Sequence, residues 1–132
     1  MLEKKLIVTA DDFGLTEGIN QGKYDACSKD IVTRTSIIAN GTAFDHAVSL
    51  AKKNQGLTVG VHLTLMEEKP VSSPDTVKSL VAGNGRLLKN YKAFVSQYLL
   101  RKINLDEVTD EFEAQIQKIL NSGITTNHID SH

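Results

Sequence analysis

Along this 132-residue chain the spacing of apolar positions switches repeatedly between an extended period and a helical one, and the switches mark out its elements. The run at 5–10 (Lys-Leu-Ile-Val-Thr-Ala) predicts a first, buried strand, broken by Asp11-Asp12-Phe13-Gly14. Thr16 as N-cap and Glu17 in the first turn begin a helix that reaches about Lys29. Gly18 and Gly22 weaken it by roughly 1 kcal/mol each relative to Ala, which suggests close packing or a backbone approach to a ligand there. Thr33 to Ala39 is β-branched and apolar, a second strand closed by the turn pair Asn40-Gly41. Ala43, Phe44, Ala47, Val48, Leu50 and Ala51 then recur at helical spacing over 43–53, with His46 off the stripe and read as a solvated surface histidine.

Leu57 to Leu65 forms a third strand, interrupted by His62, whose mainly apolar character predicts a sheet covered on both faces. Met66 to Ser73 reads as a loop, Asp75 to Val81 as a short helix, and Gly83-Asn84-Gly85 as a turn. Leu87 to Leu100 fits a short, partly exposed helix. The clearest helix runs from Leu105 to Asn121, with Val108, Phe112, Ile116, Ile119 and Leu120 on one stripe and Gly123 as its stop. Its acidic face (Glu107, Asp110, Glu111, Glu113) is read as solvated. Ile124 to Ile129 starts a fourth strand leading into His128-Ile-Asp-Ser-His132. Strands alternating with helices predict an α/β fold of parallel strands joined by helical crossovers. In such folds chemistry gathers at the carboxyl ends of the strands, where Asp11, Asp12, Asn40, His62 and the residues from His128 to His132 all fall.

Composition narrows the partners. At 132 residues with 40% hydrophobic content the chain has enough apolar surface for one core, so a single domain over 1–132 is expected. With 15 Lys+Arg against 16 Asp+Glu and no basic cluster, nothing supplies the field that nucleic acid or an anionic membrane requires. No run approaches the ~18 apolar residues of a membrane span, so a cytoplasmic location is expected. Cys27 is the only cysteine, which rules out an internal disulfide, and it is read as a small buried residue of the first helix.

The chemistry rests on convergence. Asp11 and Asp12 at a strand end can serve a metal and a water, although one of two such acids commonly does no more than cap the next helix. His62 alone fits a hydrogen-bonded core histidine as well as a ligand. In His128-x-Asp130-x-His132 both histidines face one side, whether the backbone is extended or helical. Two carboxylates and three histidines from three strands at one end of a sheet point to a divalent-metal site. Zn²⁺, Mn²⁺, Fe²⁺ and Co²⁺ suit such mixed donors, whereas Mg²⁺ prefers more oxygen. With a metal bound and one coordination position open, the free carboxylate would deprotonate a water and an imidazole would protonate a leaving amine. No phosphate-cradling Gly-rich loop, nucleophile elbow or reactive-cysteine pattern supports a covalent mechanism.

The stretches Thr9-Ala-Asp-Asp-Phe-Gly-Leu-Thr-Glu-Gly-Ile-Asn20, Thr35-Ser-Ile-Ile-Ala-Asn40, Val59-Gly-Val-His-Leu-Thr-Leu65 and Thr126-Asn-His-Ile-Asp-Ser-His132 resemble, in order, the blocks of the YdjC-like carbohydrate deacetylases. That family includes chitooligosaccharide deacetylase, and the resemblance covers the whole chain. It implies a metal-dependent amidohydrolase acting on N-acetylated oligosaccharides such as chitobiose units, built on a deformed β/α barrel and working as a homodimer. By position, Asp12, His62 and His128 become the metal ligands and Asp11 the general base. His132 joins Asp11 in the catalytic set, and Asp130 and Asn40 fall on the substrate side, with Asp130 and His132 as supporting or proton-transfer residues. The family is described with Mg²⁺, while Zn²⁺ fits these donors chemically. A complete barrel takes about 250 residues, so roughly half is expected here. Unpaired edges on the first and fourth strands then predict a truncated product that pairs with another copy of itself. The alternatives are a catalytically inactive half-domain that binds metal or self-associates, and a metal-free binding module.

Overall fold

The computed structural model describes residues 4, 6–54 and 56–132. Its elements run β1 (Thr9–Phe13), α1 (Glu17–Ser28), β2 (Arg34–Ile38), α2 (Phe44–Lys53), β3 (Thr58–Leu63), α3 (Tyr91–Leu99), α4 (Leu105–Asn121) and β4 (Thr126–Ser131). All strand pairs are parallel, in the order β1-β2-β3-β4, which is the α/β architecture with helical crossovers that the alternation predicts. Strands laid down consecutively are the winding of a β/α barrel, present here as an open four-stranded sheet.

Local chemistry sets the element ends. Thr16 Oγ1 accepts from Ile19 N at 3.3 Å, Asn90 Oδ1 from Ala93 N at 3.0 Å and Asn104 Oδ1 from Asp106 N at 3.0 Å, so α1, α3 and α4 each start on a side-chain cap. Gly123, at φ 81°, stops α4 in the left-handed region.

The two faces of the sheet differ. Ile37, Val59 and Val61 pack with Phe44, Ala47 and Leu50 of α2 and Ile119 of α4 in the main core. One residue further along, Ile38 pairs with His62 and His62 with Asp130, so this row faces the opposite way. The helices thus cover the apolar face, and on the opposite row Ser36, Ile38 and His62 are buried too, so the central strands are covered on both faces and one of these carries the chemistry. A smaller core of Val77, Leu80, Leu87 and Ile103 joins the 64–88 segment to Val108 of α4 and Phe94 of α3.

Several expectations are corrected. Pairing of β1 with β2 starts at Thr9, so the strand shares only Thr9 and Ala10 with the expected 5–10 and runs on through the acids to Phe13. Leu6 and Ile7 are exposed, and residue 5 lies outside the described residues. No helix forms over 75–81. Val77 and Leu80 have helical spacing, but Ser79 N donates to Glu107 Oε2 at 2.7 Å, and the segment docks as successive turns. Leu87 and Leu88 form isolated bridges to Val81 and Met66, which delays α3 to Tyr91. On α4 the buried line is Glu111-Gln115-Ile119, each 0% exposed, while Leu120 is 45% exposed. The acidic face is therefore only partly solvated. Cys27 is half-buried beside the core, with its thiol pushed up by burial and then by Asp30.

Gly18 and Gly22 do not permit any close approach, since a Cβ at either meets nothing within 4 Å. Ala at each exposed position should therefore stabilise the fold by about 0.5–1 kcal/mol through reduced backbone entropy of the unfolded chain. Urea unfolding of Gly18→Ala and Gly22→Ala checks this.

Candidate metal centre at the carboxyl rim of the sheet

Both outer strands carry a register shift at their chemistry-bearing residues. Between Ala10↔Thr35 and Phe13↔Ile37, β1 holds one residue more than β2, so Asp11 and Asp12 form a bulge. Between Val59↔Thr126 and Val61↔Ile129, β4 does the same at Asn127 and His128. Bulges re-aim side chains. Asp12 adopts φ 63°, a left-handed conformation that Asp tolerates better than most residues. Plain alternation would send the two carboxylates to opposite faces. With the bulge, each joins a group that includes His62.

His62 is buried at the end of β3. Its Nδ1 lies 2.7 Å from Asp130 Oδ1, and a carboxylate can only accept, so the proton sits on Nδ1 and the Nε2 lone pair faces the rim. That Nε2 is 3.4 Å from Asp12 Oδ1 and 3.4 Å from His132 Nδ1, and the latter two atoms are also 3.4 Å apart. The three donors make an equilateral triangle. A tetrahedral ion with bonds of about 2.1 Å separates its ligands by about 3.4 Å, so the spacing fits a bound cation. Asp12 Oδ1 is buried without a hydrogen bond, which leaves an electron-rich oxygen facing two imidazoles. One carboxylate with two imidazoles is a donor set for a divalent transition metal.

On the other edge of the His62 ring, Asp11, His62 and Asp130 make a second compact group. Ser36 Oγ donates to Asp11 Oδ1 at 3.1 Å and lies 3.4 Å from His62 Nδ1. Behind the acids, buried Asn20 accepts from Gly14 N at 2.6 Å and donates to Ala43 O at 3.0 Å, stapling the β1–α1 turn to the β2–α2 turn. A Cβ at Gly41 would collide with Gly14 O, so these turns meet only with glycine there. Half-buried Lys23 completes the surroundings. Burial pushes its ammonium below the usual lysine range, against the raising pull of Asp12 and Asp11.

The expected site residues are thus distributed as follows. Asp12 and His62, read from the sequence as metal ligands, lie together, and the third vertex of their triangle is His132, read from the sequence as catalytic. His128, expected as a ligand, lies over Gly60, where a Cβ would collide with its ring, and belongs to neither compact group. Its Nε2 is buried without a hydrogen bond, 3.8 Å from Asp130 Oδ2. Asn40 stands at the β2 end, donating to Lys69 O at 2.9 Å while its Oδ1 is buried and unpaired. His46 is half-buried, with Nδ1 3.3 Å from Asn20 Nδ2, and is not a solvated surface histidine. Asn20, Ser36 and Lys23 carry no local signal in the sequence, since the fold brings each of them to its partner: Asn20 to Ala43, Ser36 to Asp11 and His62, and Lys23 to Asp12 and Asp11.

An open α/β sheet with His and Asp gathered at its carboxyl rim defines a class of metal-suited α/β proteins. Within it, the model of the YdjC-like protein family matches residues 5–132, and the chain belongs to that family. It is 42% identical over 128 residues to carbohydrate deacetylase 1 of Listeria innocua serovar 6a, covering 97% of this chain and 51% of that protein. With the carbohydrate deacetylase of Halalkalibacterium halodurans it shares 44% identity over 131 residues, covering 97% and 52%. It superposes with TM-score 0.88 and 37% identity on the crystal structure of a proposed cellobiose-phosphate cleavage protein of Enterococcus faecalis V583, covering 99% of this chain and 49% of the other. The chain spans about half the length of the relatives it matches. Among the described residues no helix is long and apolar enough to cross a membrane.

The left-handed backbone at Asp12 yields a stability test. Asp12→Asn, which tolerates that conformation, should unfold at nearly the wild-type urea concentration in metal-free buffer. Asp12→Ala should cost about 1 kcal/mol more. Equal stabilities of the two would show that the bulge carries no conformational cost.

Proposed function

We propose that this rim is the hydrolytic centre of a metal-dependent carbohydrate deacetylase that removes acetyl groups from N-acetylated oligosaccharides of the chitooligosaccharide type. The observation that carries the reading is the 3.4 Å triangle of Asp12, His62 and His132. The name carbohydrate deacetylase that the relatives bear supports a carbohydrate substrate. In this reading those three residues hold the ion, with Zn²⁺ favoured by the two nitrogen donors over Mg²⁺. When bound, a divalent cation supplies Lewis-acid polarisation of the acetamide carbonyl and a water of lowered pKa.

The chain's own groups do the rest. Asp11, one oxygen held by Ser36, is the base that takes the water's proton through the other. Asp130 fixes the His62 tautomer from behind. His128, whose Nε2 has no partner, is the imidazole left to protonate the departing amine. Asn40 Oδ1, also unpaired, accepts a hydrogen bond from the sugar or its acetamide. A cytoplasmic location and a homodimer accompany the reading.

Because the triangle could hold an ion with no substrate present, it also supports a second reading, in which the chain holds metal or self-associates without hydrolysing anything. One experiment separates the two. Isothermal titration with Zn²⁺ should show a single site that weakens at least about tenfold in Asp12→Asn, His62→Ala and His132→Ala, but by less than about threefold in His128→Ala. With Zn²⁺ or Mg²⁺ added, the wild type should release acetate from diacetylchitobiose, and Asp11→Asn should lose about 10²-fold or more in kcat. Zn²⁺ binding without acetate release would sink the enzymatic reading and leave the second one standing.

A further inference from the structure

Glu111 is a fully buried carboxylate that no step above employs. Its Oε1 accepts from Val71 N and its Oε2 from Ser72 N, each at 2.9 Å, and Gln115 Nε2 donates to Oε1 at 2.8 Å. Gln115 in turn accepts from Thr64 N at 3.1 Å and donates to Thr64 O at 2.7 Å, two residues beyond His62. The segment held in this way leaves the carboxyl end of β3 and reaches the end of β2, where Lys69 O receives the Asn40 side chain. It therefore runs along the rim that carries the triangle, and its backbone is fastened by side chains more than its own ladder. Burying an ionised carboxylate is expensive unless hydrogen bonds compensate it. Such a cost at a surface-helix position calls for a role.

We propose that Glu111 is a positioning residue: from α4 it fixes the Lys69–Ser72 backbone as one wall of the oligosaccharide groove, making that segment a specificity determinant. The wall's role toward sugar rests on the deacetylase reading, and the brace itself does not. A carboxylate has acceptor capacity for all three N–H groups at once. The isosteric amide has one oxygen, and its NH₂ would confront a backbone N–H, so one loop amide loses its partner.

Hydrogen exchange of the intact chain, followed by mass spectrometry, tests the brace without reference to activity. In the wild type the amides of Val71 and Ser72 should be protected although they lie in a loop. In Glu111→Gln, exchange over 64–73 should rise about tenfold or more while β2 and α2 stay at wild-type rates. Where the wild type releases acetate from diacetylchitobiose, the variant should raise KM about threefold or more with kcat within about twofold, and Zn²⁺ affinity should not change. Unprotected Val71 and Ser72 amides in the wild type would overturn the brace even if the variant failed to fold. So would a uniform rise in exchange throughout the chain, and an unchanged KM in an active protein would overturn the wall. A wild type that releases no acetate sinks the deacetylase reading and with it the wall, and the exchange data still decide the brace.

Discussion

The rim depends on how one imidazole is held. His62 is buried on the third strand of the sheet, with Asp130 on one ring nitrogen and Asp12 and His132 facing the other. A buried histidine with a carboxylate on its Nδ1 has its tautomer fixed, and so offers a lone pair in a defined direction. The outer strands then supply the remaining donors: β1 by a bulge that turns two consecutive acids toward the ring, and β4 by the run from His128 to His132.

The sheet's packing explains why these polar groups can meet there. Ile37, Val59 and Val61 give the helices an apolar face to cover, which leaves the opposite row to Ser36, Gly60, His62 and Asp130. Gly60 has no side chain because the His128 ring occupies that space. Asn20 and Gly41 play the matching part behind the acids, Asn20 bonding to both turns and Gly41 leaving room for their close approach.

Much of this was legible in the sequence, and the failures share a cause. The bounds of α4, the start of α1 and the parallel order follow from periodicity and capping, which are local. Asp12, His62 and the histidine tail stand out in the sequence because two carboxylates and three histidines from three strands converge on one end of the sheet. What escaped was set by distant partners. Glu111 reads as a solvated acid until the loop amides of Val71 and Ser72 are seen to need it. The turns at 75–81 mimic a helix because Val77 and Leu80 bury at helical spacing while Ser79 N is drawn to Glu107. Between His128 and His132 the spacing was correct but could not say which imidazole joins Asp12 and His62. That choice depends on the bulge at Asn127 and His128, and strand alternation does not reveal a bulge.

Anomalous diffraction from crystals grown with Zn²⁺ tests the central claim most directly. The account predicts a single strong peak about 2.1 Å from Asp12 Oδ1, His62 Nε2 and His132 Nδ1. A peak bonded to His128 in place of His132, or no peak within reach of His62, would contradict it.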